Sequence, residues 1–356
     1  MIALDFVGGC SCSGNAPIQD LFKIYSGNVI PKNKLCDGLE NFMNNTTYTN
    51  DIVIKEINPL QLGQNTNCFN YGSFNNVSLY LNDGVSLNNF FNGATINNLY
   101  IKGGNLSNIG NMMSFNNLVV ECNGLSKAFE NINIRQYKST YLGGLTIKAD
   151  TMFSCLNALS YSKLGDVSIK CNSIVAVLNS CKITDGRNIN ISAQSVYSLG
   201  KSFVSTISNN VRGKVEFNFI GGNAEEVFSN CVVEHMNVSV HDLKNAFLNY
   251  SLFTSINLTV NGECFNCFRL FTTPYRQGVL NAHLGVDNCT NCFEKVNVSN
   301  LNVSLYGKGF GNSCFNSINV GSLYLLTPFG NLVPYTYQSC FQANTHEHLA
   351  QFANAI

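Results

Sequence analysis

The sequence predicts an all-β-dominated fold: a right-handed parallel β-solenoid of about 12 coils of roughly 22 residues, capped at both ends. Three observations predict it. A small or apolar residue followed by Phe returns roughly every 19 to 26 residues, a second series of short alternating strands keeps the same step, and the stretch from Gln61 to Tyr275 holds one proline, Pro274. A unit this short cannot bury its own apolar edge, so units must stack. Stacking consumes backbone N–H donors, which is why proline is excluded.

Residues 1–60 come first, with Pro17, Pro31, Pro59, Cys10, Cys12 and Cys36 and no Phe in phase with the repeat. They read as a cap or docking segment, because the first rung of a stack is an open sheet edge that must be covered. The opening MIALDFVGGCSCSGNA has no basic region and only a short apolar start, so a secretory leader is not expected.

Residues 61–341 hold the repeat. Its pairs are Cys68-Phe69, Phe90-Phe91, Ala128-Phe129, Met152-Phe153, Ser202-Phe203, Val227-Phe228, Ala246-Phe247, Cys267-Phe268, Cys292-Phe293, Cys314-Phe315 and Cys340-Phe341. Met112-Met113 and Val177-Leu178 fill gaps in the series. In step with them run Val77-Leu79-Leu81, Leu99-Ile101, Leu118-Val120, Leu145-Ile147, Val167-Ile169, Ile189-Ile191, Val215-Phe217-Phe219, Met236-Val238-Val240, Ile256-Leu258-Val260, Leu301-Val303-Leu305 and Ile318-Val320. Stacking these units predicts three columns: Phe over Phe, small residue over small residue, and aliphatic over aliphatic. Residues 342–356 follow, and a short capping helix is expected from Asn344 or Thr345, with Leu349 and Phe352 on one face.

Composition narrows the function. Hydrophobic residues make up 45% of the chain, enough for a long core, but only 12% are charged and the net charge is zero. Asparagine fills the gap at about 15% of the chain, well above average usage. A nucleic-acid partner needs a basic face, and no basic cluster occurs. No apolar run is long enough for a membrane-spanning helix. The 15 cysteines are an odd number in a long chain, which suits thiols made in a reducing cytosol and used as small apolar fillers.

Cys264-x-x-Cys267 and Cys289-x-x-Cys292 together have a spacing close to a zinc ribbon. One repeat separates the two pairs, and Cys267 and Cys292 both precede a repeat Phe. Buried packing thiols are therefore the expectation, with zinc or a disulfide as the alternatives, and no cofactor is expected. The histidines His235, His241, His283, His346 and His348 read as solvated side chains. Asp242, Glu263 and Asp287 recur one repeat apart in loops after successive strands and form the best carboxylate column for sugar-cleaving chemistry. Solvated turn residues are the ordinary reading of the same column. Triplets such as Asn237-Val238-Ser239, Asn257-Leu258-Thr259 and Asn302-Val303-Ser304 start inside strands, so they report the repeat, not glycosylation.

The unit NAFLNYSLFTSINLTVNGECFNCF, Asn245 to Phe268, resembles the BspA-type leucine-rich repeat, and the resemblance covers roughly residues 66–341. It implies a stacked solenoid and, on the function side, a cell-surface adhesin. The asparagine-rich, low-charge composition resembles the β-solenoid shafts of bacteriophage fibre and spike proteins. That likeness implies a non-enzymatic structural or adhesive virion component, made in the host cytoplasm. Such a component would dock to other virion proteins through residues 1–60, form homo-oligomers and contact surface carbohydrate. A polysaccharide depolymerase acting through the carboxylate column is the third expectation.

Overall fold

Alternation of apolar and polar residues at period two builds every rung. In the strand Val232–Lys244, Met236, Val238 and Val240 are buried while Asn237 and Ser239 between them stay partly accessible. A computed structural model of the chain describes residues 2–6, 22–25, 44–49, 51–57, 68–81, 84–132, 144–186, 188–205, 216–249, 252–270, 279–284, 288–305 and 319–326. These residues are all-β and form a parallel β-solenoid of about nine turns. Two compact units divide at residue 172.

In the unit of residues 1–172, Ser73–Leu81, Thr95–Lys102, Ser114–Ser126 and Gly144–Cys155 pair successively in parallel. Val77 stands opposite Leu99, Leu99 opposite Leu118, and Leu118 opposite Leu145. The ladder extends below residue 61, where Ile52–Ile57 pairs in parallel with both Ser73–Leu81 and Ile2–Phe6. Phe22–Tyr25 then adds to Ile2–Phe6 antiparallel, a reversal among otherwise parallel pairs.

In the unit of residues 173–356, Asn188–Leu199, Glu216–Glu225, Val232–Lys244, Leu252–Val260, Val279–Leu284, Asn297–Leu305 and Asn319–Leu326 form the equivalent stack. The column Met236, Ile256, Leu280, Leu301, Leu323 is in exact parallel register from strand to strand.

The corner after each long strand holds the repeat Phe. Its backbone is unusual: residues at i, i+2 and i+4 all take positive φ, as in Glu226, Phe228 and Asn230, in Asn245, Phe247 and Asn249, and in Asn266, Phe268 and Leu270. Left-handed backbone costs a non-glycine residue roughly 1–2 kcal/mol, so something must hold it. The N–H groups of these residues point alternately to the next coil and the previous one. Glu226 donates to the carbonyl of Lys244 at 3.0 Å, Phe228 to that of Leu199 at 2.8 Å, and Asn230 to that of Leu248 at 3.0 Å. All three donors of this corner are thus satisfied between coils. Burial of the Phe, worth about 1.5–3 kcal/mol, offsets part of this conformational cost. Asparagine tolerates this backbone better than most residues, and Asn45, Asn89, Asn108, Asn131, Asn230, Asn245, Asn249, Asn266 and Asn291 all use it.

The Phe column is real. Phe247 and Phe268 stack at 4.7 Å and 9°, Phe268 and Phe293 at 5.2 Å and 3°, and Phe228 lies 5.3 Å from Phe247. Three expected members are out of phase, however. The corner places Cys155-Leu156 in the small-plus-Phe slots, not Met152-Phe153, and Phe153 is 52% exposed. Ile109-Gly110 replaces Met112-Met113, and Leu199-Gly200 replaces Ser202-Phe203. Hydrogen-bond register decides the slot, so a Phe nearby in sequence does not claim it. Val177-Leu178 does occupy the slots, with Leu178 at positive φ and buried. The expected pairs Cys314-Phe315 and Cys340-Phe341 and the expected helix after residue 342 lie outside the described residues.

The two glycine corners show how the core is refilled. A Cβ on Gly110 would stand 2.5 Å from the Phe129 ring and 3.4 Å from Met113, and one on Gly200 would stand 3.0 Å from Phe228 and 4.0 Å from Phe203. The next coil's ring and a large residue three places on therefore occupy the space that a ring would take. Met113 and Phe203 are buried at a position that holds Ala94, Cys181 or Cys231 in other coils.

Candidate functional site

Three groups of residues carry possible chemistry, and the coil geometry places each of them. The first is the carboxylate column. The ladder pairs Leu243 with Cys264, so Asp242 and Glu263 fall side by side on successive coils as the spacing predicts. Asp242 Oδ1 accepts the backbone N–H of Glu263 at 2.8 Å, and Glu263 Oε2 pairs with Lys244 Nζ at 2.8 Å. The carboxylate of Glu263 holds the Lys244 ammonium above its usual range. Each acid thus has a structural partner: one caps a rung and the other anchors a lysine. Asp287 lies outside the described residues.

The second group is sulfur. Cys264 and Cys289 are direct register partners, in the short parallel pair Glu263–Phe265 and Asn288–Thr290. Cys267 and Cys292 occupy the small slots of the two successive corners and are fully buried. Cys264 Sγ lies 3.5 Å from Cys292 Sγ, and the sulfurs of Cys264, Cys267 and Cys292 all lie within 4.8 Å of one another. Cys267 Sγ donates to the carbonyls of Phe265 at 3.2 Å and Leu243 at 3.4 Å, and Cys292 Sγ to those of Thr290 at 3.3 Å and Cys264 at 3.4 Å. Burial, aided by the hydrogen bond to Cys264, pushes the Cys267 thiol well above its ordinary range. In the other unit, burial does the same to Cys122 and Cys155, each pushed up to about 12, with the neighbouring thiols adding to it.

The third group was legible only as composition. Asparagine side chains link coil to coil by amide-to-amide hydrogen bonds. In the second unit Asn218 donates to Asn190 at 3.0 Å, Asn237 to Asn218 at 2.8 Å, Asn257 to Asn237 at 2.8 Å, Asn281 to Asn257 at 2.8 Å and Asn302 to Asn281 at 2.7 Å. In the first unit two ladders run abreast, Asn75–Asn97–Asn116 and Asn76–Asn98–Asn117, and both begin on Asp51 Oδ1. A corner ladder adds to them: Asn70, Asn92 and Asn111 accept the backbone N–H groups of Asn92, Asn111 and Glu130 at 2.7 to 2.9 Å. Asn237, Asn257 and Asn302 head the N-x-S/T triplets, so ladder membership accounts for those triplets.

Flanking the long amide ladder, Ser192, Ile220, Ser239 and Thr259 form the next outward column. His235, expected to be solvated, is partly buried with Nδ1 2.7 Å from Ser255 Oγ. No family model matches the chain, and neither a curated protein nor a solved structure matches it.

Proposed function

We propose that the chain is a non-enzymatic structural and adhesive solenoid, a bacteriophage virion component of the tail-fibre, spike or decoration kind that works by contact. The amide ladder from Asn190 to Asn302 carries this reading. It presents an uncharged, regularly spaced polar strip, and the amides satisfy one another instead of demanding a charged partner. Such a strip carries no self-repulsion and suits side-by-side packing of copies or the hydroxyls of a surface polysaccharide. The caps on Asp242 and Glu263 support the non-enzymatic side, because both acids are engaged in holding successive coils.

Light scattering on the purified chain tests the assembly, with a trimer or larger species expected and a monomer at high concentration contradicting it. Mass spectrometry of purified phage particles tests the location. Release of reducing ends from capsular polysaccharide, abolished by Asp287→Asn, would replace this reading with a depolymerase.

A further inference from the structure

The sulfur cluster goes beyond packing. The column that includes Cys264 is aliphatic in the preceding coils of its unit, Val196, Ala224 and Leu243, and in the equivalent column of the other unit, Leu87, Leu106, Leu125 and Met152. Among the described residues it turns to cysteine only at Cys264 and Cys289, in two adjoining coils whose small slots also hold cysteine. Packing explains Cys267 and Cys292, since Cys68 and Cys155 fill the same slot elsewhere. It does not explain the thiol of Cys264, which is fully buried where leucine would bury more apolar surface.

Tetrahedral zinc with bonds of about 2.3 Å needs sulfurs about 3.8 Å apart. The Cys264 and Cys292 sulfurs are 3.5 Å apart and all three lie within 4.8 Å, so small side-chain rotations suffice. Cys289 stands on the adjacent rung in register with Cys264, about 4.8 Å along the stack.

We propose that Cys264, Cys267 and Cys292 bind one zinc ion and clamp two successive coils at their corner, with the register position of Cys289 one rung along from Cys264. Each thiol releases its proton to water as its sulfur donates a lone pair to the metal, and no group changes oxidation state. Cys267 and Cys292 exchange their hydrogen bonds to carbonyls for bonds to zinc. The ion enters during folding, before the Phe column closes over the corner.

The test uses the full chain, made with zinc in the medium and kept reduced, with metal content read by atomic emission. About one zinc per chain is expected, falling below about 0.2 in Cys264→Leu. That substitution installs the residue that Leu243 supplies one coil earlier, so the fold should persist, as circular dichroism will check. Refolding with Co²⁺ should give an intense thiolate-to-cobalt absorption that disappears in Cys264→Leu and remains in Cys155→Ala. Wild type with neither zinc nor the cobalt band overturns the proposal. So does a folded Cys264→Leu that keeps its zinc.

Discussion

The two units share one corner and fill it differently. In residues 173–356 the slots begin with Leu178 and Gly200 and then run Phe228, Phe247, Phe268, Phe293 without interruption, the upper rings nearly parallel. In residues 1–172 the same slots read Phe69, Phe91, Gly110, Phe129 and Leu156. The amide ladders differ too: one long file of six asparagines in the second unit, and two short files founded on Asp51 in the first. The backbone is common to both, with positive φ at alternate corner residues and N–H groups directed up and down the stack. The constraint that defines the fold is therefore hydrogen bonding between coils. The Phe is the commonest filling of a slot that the backbone creates.

The comparison breaks most sharply at the rings. Phe268→Ala removes a fully buried ring held between two others, and about 3–5 kcal/mol of stability should be lost. Leu156→Ala, in the mixed column, should cost about 2–5 kcal/mol, and a urea titration of both variants ranks them. A larger loss at Leu156 would show that continuity of the rings adds nothing.

Next come the glycine corners. Gly200→Val would add a β-branched side chain at φ +65°, against Phe228, and a loss of roughly 2–4 kcal/mol is expected from backbone and overpacking together. Gly200→Ala with Phe228→Leu, which frees the space, should recover part of it in the same titration.

The amide ladders are predicted to matter less per residue. Asn257→Ala removes one donated and one accepted bond in the long file, and each is worth about 0.5–1.5 kcal/mol. Asn98→Ala does the same in the paired files and should cost less, because Asn97 still links the same coils. Thermal unfolding of the two variants gives the difference directly.

The smallest effects are those of pH. In the first unit Cys122 and Cys155 keep their protons to higher pH folded than unfolded, because burial disfavours the thiolate. Their contribution is complete below the unfolded value of 9.0 and is lost as pH rises toward about 12. In the second unit the hydrogen bond from Lys201 lowers the pKa of Glu226. That contribution is present above the ordinary carboxylate range and is lost as pH falls through the lowered value. Unfolding midpoints across pH should fall on the alkaline side, somewhat less in Cys122→Ala and less still in Cys122→Ala with Cys155→Ala, and the small acid-side slope should shrink in Lys201→Met.

Much of the architecture was legible in the spacing of residues, because a stacked coil repeats its burial pattern at each turn. The aliphatic columns and the upper Phe column follow directly from it. Phase within the repeat was less legible. Met152-Phe153 and Ser202-Phe203 fit the spacing but not the corner, because the slot is set by which N–H reaches which carbonyl across coils. The pairing of Cys264 with Cys289, and of Asp242 with Glu263 one coil on, was readable from the one-repeat offset. That the sulfurs of Cys264 and Cys292 meet across coils was not readable, since it depends on how the corner turns.

By itself the sequence determined that the chain must coil. A period too short to bury its own apolar edge, a single proline between Gln61 and Tyr275 and a strand pattern at period two leave few other ways to satisfy backbone and core together. Tertiary structure decided what the asparagines do. An amide can face water, occupy left-handed backbone or hydrogen-bond its own kind with nearly equal ease. The choice is made only when the next coil sets another amide about 4.8 Å away, where donor meets acceptor.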